Sequence, residues 1–259
     1  MQLDAYQENL EKLVAMRTHD LAAINAQLEA ANKELEAFSY SVSHDLRTPL
    51  RAIDGYANIL LEDYADKLDP EGKRIAGIIR DGAQKMGNLI NDILAFSRVG
   101  RQELVGTNIN MCELVDQALV ELKPALEGRS ITLDVRPLPP ADGDAAMLRC
   151  VWINLLDNAI KFTKSRASAT IEVGAKLEAA ETAYYVKDNG IGFDMKYVSK
   201  LFGVFQRLQS QGDYPGTGIG LAIVKRIIVR HQGRVWAQGA LNEGACFSFT
   251  LPRKDKNHA

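Results

Sequence analysis

From the amino terminus, apolar residues step by alternating fours and threes through Leu10, Val14, Leu21, Ile24, Leu28, Ala31, Leu35, Phe38 and Val42, interrupted only by Arg17. This spacing is the heptad seam of a coiled coil. The first proline is Pro49 and the first glycine Gly55, so neither strong helix breaker falls in the opening 48 residues, and one long helix is predicted there. A helix of about 45 residues extends about 70 Å and cannot cover such a stripe against itself. A second copy of the chain is the expected partner. Past Pro49 the stepping continues through Leu50, Ile53, Ala57, Leu60 and Tyr64, then breaks over residues 65–69. Asp69 and Pro70 read as the N-cap and first position of a second helix reaching about Ser97, with Ile75, Ile79, Met86, Leu89, Ile93 and Phe96 on one side. Gly72, Gly77, Gly82 and Gly87 each cost that helix roughly 1 kcal/mol relative to alanine, so packing must hold it. Two helices per chain, dimerised, predict a four-helix bundle.

From about Thr107 the pattern changes to mixed helix and strand. Helical spacing covers 111–126 and 144–162, and strands are predicted over 131–135, 170–175, 183–188, 234–238 and 246–251. The second half therefore reads as an α+β sandwich. Half of the 20 glycines follow Asp188, where the backbone must turn sharply or approach something closely. The last residues, 253–259, read as a frayed polar tail.

Composition narrows the function. A length of 259 residues allows one large or two small folded units, and 46% apolar with 25% charged residues is ordinary globular usage. With 31 Lys and Arg against 33 Asp and Glu, a net charge of -2 offers no field to hold nucleic acid or an anionic membrane. No apolar run approaches membrane-spanning length, and the opening residues lack the order of a secretory signal, so a cytoplasmic location without direct membrane contact is expected. Cys112, Cys150 and Cys246 are too scattered for a disulfide framework or a metal cluster and read as buried thiols.

Four clusters could carry chemistry. His44 falls two residues past the seam position Val42, on the outward side of the helix, followed by Asp45 and, one turn on, Thr48 and Pro49. A neutral imidazole is a nucleophile, and a neighbouring carboxylate can hold one ring N–H so that the other nitrogen keeps its lone pair. Pro49 should kink the helix within a turn of the histidine. The bland alternative is a solvated histidine beside an incidental proline. Asn154, Asn158 and Lys161 share one helix face, where an amide oxygen could join phosphate oxygens around Mg²⁺ and the lysine could neutralise phosphate; taken by itself, the segment reads more simply as the solvent-facing stripe of an amphipathic helix. Asp188, Gly190 and Gly192 end a strand, and Gly216, Thr217, Gly218, Gly220 and Leu221 open a helix. Each is a tight turn or, for the second, a phosphate cradle at a helix N-terminus. Asp188 as a carboxylate could accept the exocyclic amine of adenine, where guanine presents an acceptor instead. His19 falls on the polar side of the coiled coil, and His231 at a helix end where positive charge suits the dipole.

Taken together and in order, these clusters resemble the sensor histidine kinases of two-component signalling, of the phytochrome-like and PAS-linked type, over nearly the whole chain. Residues 44–50 are similar to the H box, 154–163 to the N box, 188–193 to the G1 box, 201–205 to the F box and 216–221 to the G2 box. The resemblance implies a cytoplasmic kinase core. Its fold would be a coiled coil and a four-helix-bundle dimerisation domain with two helices per chain, followed by an ATP-binding α+β sandwich of the histidine kinase, gyrase and heat-shock chaperone type. The implied limits are a signalling helix over 1–36, a dimerisation and phosphotransfer domain over 37–100, a linker over 101–106, the ATP-binding domain over 107–253 and a tail over 254–259.

By the same resemblance His44 takes the γ-phosphoryl of ATP, Asp45 orients it, and Thr48 holds the position tied to dephosphorylating the partner. Asn158 is the implied Mg²⁺ ligand and Lys161 a phosphate contact. Asp188 anchors adenine, with Gly190 and Gly192 shaping the pocket. Asn154, Thr217, Gly218, Gly220 and Leu221 complete the nucleotide set, and a mobile lid begins after Phe205, with Phe202 and Phe205 packed under it and Arg207 within reach of phosphate. Implied partners are a second copy of the chain, the receiver domain of a response regulator and an N-terminal sensor domain. Two rivals stand beside this reading: an ATPase-type conformational switch without histidine transfer, and a scaffold with a degenerate pocket. Gyrase-type ATPases carry a glutamate where Asn154 stands, and an amide has no useful basicity, so hydrolysis is disfavoured.

Overall fold

The computed structural model describes residues 2–100, 104–207, 214 and 216–253, with backbone only at 2–5, 8, 28, 29, 32, 33, 35, 36 and 38–40. Two compact units make up the chain, Met1–Gly87 and Asn88–Ala259.

The first unit is built on α1 (Gln2–Glu62), which stays helical across Pro49, and on the beginning of α2 (Pro70–Val99). A single 3₁₀ turn, Ala65–Lys67, joins them. Asp69 caps α2 as its position predicts, its carboxylate accepting the Gly72 N–H at 2.7 Å. Across the hairpin the Gln84 amide donates to Asp54 at 3.1 Å. Burial follows a strict period of seven: Ser43, Leu50 and Ala57 on α1, Ala76 and Ala83 on α2. The residues of the expected seam divide in the single chain. Leu50 and Ala57 turn inward, whereas Ile53, Leu60, Ile75, Ile79 and Met86 remain 39–47% exposed. The hairpin closes on a stripe of mostly small residues, and a stripe of larger ones stays open. Leu10, Val14, Leu21 and Ile24 are likewise exposed, while the side chains of Leu28, Leu35 and Phe38 lie outside the described residues.

The second unit contains a five-stranded sheet in the order β2-β4-β5-β7-β6, formed by β2 (Ile131–Val135), β4 (Ala169–Leu177), β5 (Glu181–Asp188), β6 (Val235–Ala240) and β7 (Gly244–Pro252). Only the β2–β4 pair is parallel. A small antiparallel pair, β1 (Thr107–Ile109) with β3 (Ala141–Gly143), was not anticipated. The helices are α3 (Met111–Glu121), α4 (Lys123–Leu126), α5 (Ala145–Phe162) and α6 (Gly220–Arg230). Leu122 separates α3 from α4, where Pro124 reinitiates the helix, so the run predicted over 111–126 is two helices. Asp144 caps α5 by accepting the Met147 N–H at 3.0 Å.

The α5 stripe Leu148, Val151, Trp152, Leu155 and Leu156 packs in one core with Ile171, Val173, Tyr184, Val186, Phe247 and Phe249 of the sheet. Each large side chain taken from water contributes about 1.5–3 kcal/mol, and Trp152 meets Tyr184 and Phe249 edge-on. Strand alternation has one consequence for chemistry: Tyr184, Val186 and Asp188 share the inner face of β5, so a carboxylate stands at the end of an apolar row. Cys112, Cys150 and Cys246 are half-buried free thiols rather than fully buried ones.

Candidate functional site

In the first unit His44 and Asp45 are open to solvent, at 68% and 74% exposure, with His44 Nδ1 3.2 Å from Asp45 Oδ1. Thr48, one turn further on, is also exposed. The exposure of the ring agrees with the position of His44 past the seam.

In the second unit a pocket opens among α5, the end of β5 and the loop before α6. Asn158, Lys161, Asp188, Gly192, Gly218 and Leu221 line it. Asp188 is 3% exposed. Its Oδ1 accepts the Gly190 N–H at 2.8 Å. Burial pushes its carboxyl up to about 6, against the backbone N–H groups of Gly190 and Ala245, which favour the anion. Burial likewise lowers Lys161, while the Asp157 charge raises it and the Arg207 charge lowers it further. The Lys161 ammonium donates to Asn158 Oδ1 at 3.0 Å and lies 4.4 Å from the centre of the Phe162 ring. Two glycines are obligatory. Gly192 has φ +61° with the Ala240 carbonyl where a Cβ would stand, and Gly218 has φ +78° with the Gln206 carbonyl 2.9 Å from that position.

Other expected members stand apart from the lining. Asn154 turns its amide to the Cys150 carbonyl, 2.8 Å away. Gly190 serves from behind through its N–H, and Gly220 begins α6. Thr217 is bonded to Asp92. Phe202 packs edge-on to Phe247, whereas Phe205, expected to be covered, is 55% exposed with φ +60°. Most of the expected lid, 208–213 and 215, lies outside the described residues, as do 101–103 of the linker and the tail 254–259. His231 is corrected as well. It is buried, Nδ1 facing the Ile227 carbonyl at 2.8 Å and Nε2 accepting the Asp144 N–H at 3.0 Å, so one nitrogen must keep a lone pair and the ring joins α6 to the start of α5.

Sequence reasoning missed Phe162, Phe193, Leu201, Gln206, Tyr214, Ala245 and Phe247 as lining residues. Ala245 and Phe247 carried a signal, the period of two along a strand ending opposite Asp188. Among the described residues no group of three or more His, Cys, Asp or Glu side chains forms a metal site.

Comparison with known proteins bears directly on this arrangement. Residues 34–102 match the His Kinase A (phospho-acceptor) domain, and residues 143–255 match the family described as histidine kinase-, DNA gyrase B- and HSP90-like ATPase. This chain belongs to the sensor histidine kinases. The chain is 38% identical over 242 residues to cyanobacterial phytochrome A of Nostoc sp., covering 93% of this chain and 31% of that protein. It is 40% identical over 228 residues to the methanogenesis regulatory histidine kinase FilI of Methanothrix harundinacea, covering 87% of this chain and 25% of that protein. The chain thus spans a third or less of the length of these curated relatives. Among solved structures, full-length ShkA in complex with AMPPNP matches with a TM-score of 0.62 at 29% identity, over 83% of this chain and 45% of that one. The helical hairpin followed by an α+β sandwich is the fold these matches share. Among the described residues no helix is long and apolar enough to cross a membrane.

Proposed function

We propose that the kinase uses ATP to phosphorylate its own His44 and passes the phosphoryl group to an aspartate on the receiver domain of a response regulator. The observation that carries this reading is one chain holding both a solvent-open imidazole paired with Asp45 and a pocket where a buried carboxylate, an amide and an ammonium converge. AMPPNP bound to ShkA supports ATP as the nucleotide. Asp188 takes the exocyclic amine of adenine with the oxygen not committed to Gly190. Lys161 and Asn158 face the phosphates, together with the N-terminus of α6, which has no side-chain cap.

Asn158 offers one amide oxygen to a metal. That suits Mg²⁺, which retains water and shares phosphate oxygens rather than needing a full protein cage. When bound, the ion screens the negative charge that builds on the transferring phosphoryl group. With the Nδ1 proton held by Asp45, Nε2 keeps its lone pair and attacks the γ-phosphorus. The bond from that phosphorus to its bridging oxygen breaks, ADP departs, and the Nδ1 proton moves toward Asp45. In the second transfer a carboxylate oxygen of the regulator attacks and the N–P bond breaks. Thr48, one turn from His44, is suited to orient water in a phosphatase reaction on the regulator.

The exposed stripe Ile53, Leu60, Ile75, Ile79 and Met86 supports a homodimer, and the greater length of the relatives supports a sensor domain in the full protein. Residues 37–100 form the dimerisation and phosphotransfer domain of this reading, 107–253 the ATP-binding domain, and 101–106 the linker that lets the nucleotide reach His44. Label from γ-labelled ATP should be acid-labile and base-stable, and should disappear in His44→Ala while Mg-ATP binding persists. Phosphate release by His44→Ala at the wild-type rate would instead establish the ATPase switch.

A further inference from the structure

Arg166 lies in the turn between α5 and β4 and belongs to none of the expected boxes. Its Nε donates to the Asn189 carbonyl at 2.8 Å, and its Nη2 donates to the carbonyls of Gly190 at 3.0 Å and Asn242 at 2.5 Å. Asn189 and Gly190 form the turn that follows β5, and Asn242 sits in the β6–β7 turn with φ +64°. The Asn242 N–H also donates to the Ile191 carbonyl at 2.7 Å, so the two turns are bonded directly and through one guanidinium.

These two turns lead to the backbone groups that hold the Asp188 carboxylate, the N–H of Gly190 and the N–H of Ala245. The Asn189 carbonyl and the Gly190 N–H are opposite ends of one planar trans peptide. With the carbonyl fixed on Arg166, that N–H must point the other way, toward Asp188 Oδ1. A planar fork reaching three carbonyls is within the geometry of arginine and outside that of lysine.

Resting on the nucleotide reading above, we propose that Arg166 is a positioning residue for the base of the nucleotide, acting through the peptide and turn that orient Asp188. The phosphate end of the site, at Lys161 and Asn158, does not depend on it.

The test measures binding of Mg-ADP and of Mg-tripolyphosphate, a base-free probe, to wild type, Arg166→Ala and Arg166→Lys, together with KM and kcat for autophosphorylation. Expected is a loss of about tenfold in ADP affinity in Arg166→Ala, with tripolyphosphate affinity unchanged, KM raised in parallel, kcat within about twofold and Arg166→Lys intermediate. Equal ADP affinity in wild type and Arg166→Ala overturns the proposal, as does an equal loss for both probes, which marks a merely structural residue. If Arg166→Ala does not fold, Arg166→Lys decides: selective loss of ADP supports the proposal and wild-type affinity overturns it. Failure of the wild type to bind either probe rejects the nucleotide reading itself.

Discussion

The Thr217 hydroxyl donates to the Asp92 carboxylate at 2.5 Å, joining the loop ahead of α6 to the last turns of α2 within the second unit. Nearby, the Arg226 guanidinium lies 4.5 Å from the centre of the Phe96 ring, and Arg230 donates to the Val99 carbonyl. A hydroxyl committed to a carboxylate is not free for phosphate, and on the proposed reading the carboxylate adds negative charge near the phosphate end. A hydrogen bond to a charged group contributes about 1.5–3 kcal/mol. Asp92→Ala should therefore tighten Mg-ATP binding by about three- to tenfold, read by calorimetry; an unchanged or weaker affinity would remove Asp92 as a competitor.

Asp188 couples binding to stability. Its carboxyl is raised from 3.8 to about 6 by burial. Between those values the folded chain holds a proton that the unfolded chain has released, so this group lets stability rise as pH falls through about 6 and costs stability above it. Asp188→Asn should melt higher than wild type at pH 7.5, by a difference on the order of 1–3 kcal/mol that shrinks toward pH 5. The same variant turns an amide N–H₂ toward the adenine amine, and ATP affinity should fall at least about tenfold.

Asp45→Asn keeps the shape of the pair with His44 but cannot take up the Nδ1 proton. Autophosphorylation should slow by about a hundredfold with nucleotide affinity unchanged. Rapid-quench labelling measures the first quantity and calorimetry the second.

The open stripe on the hairpin predicts its own disruption. Ile79 and Met86 are 45% and 47% exposed in the single chain, and a carboxylate placed there would lose water on dimerisation. Met86→Glu should shift sedimentation from dimer to monomer at micromolar protein, and a dimer of wild-type affinity would place the contact elsewhere.

Gly82 has no atom within 4 Å of the position a Cβ would occupy in the chain's own hairpin. Gly82→Ala should raise stability by about 1 kcal/mol through helix propensity alone. A lower melting temperature would mean that a partner helix approaches closely at that point.

Local signals were the ones the sequence could carry. Asp69 announces a helix start because capping is settled within four residues, and the cap forms. Asn158 and Lys161 were legible as neighbours because helical spacing brings them together, and they bond at 3.0 Å. By contrast β1 and β3 are three residues each and pair only with one another, so neither shows a period of its own. Phe162, Leu201, Tyr214 and Phe247 reach one pocket from four separate segments. Arg166 was silent because its partners are backbone carbonyls, which have no letter in the sequence.

Sequence alone determined the long opening helix, the carboxylate beside the histidine and the pairing of Asn158 with Lys161, because each depends on spacing within a few turns of chain. Tertiary structure decided the rest. It divided the apolar stripe of the hairpin into a closed and an open half, turned Thr217 to Asp92, buried His231 and raised the Asp188 carboxyl. Burial and hydrogen bonding between distant segments are properties of the packed chain, and they set which polar atoms remain free to act.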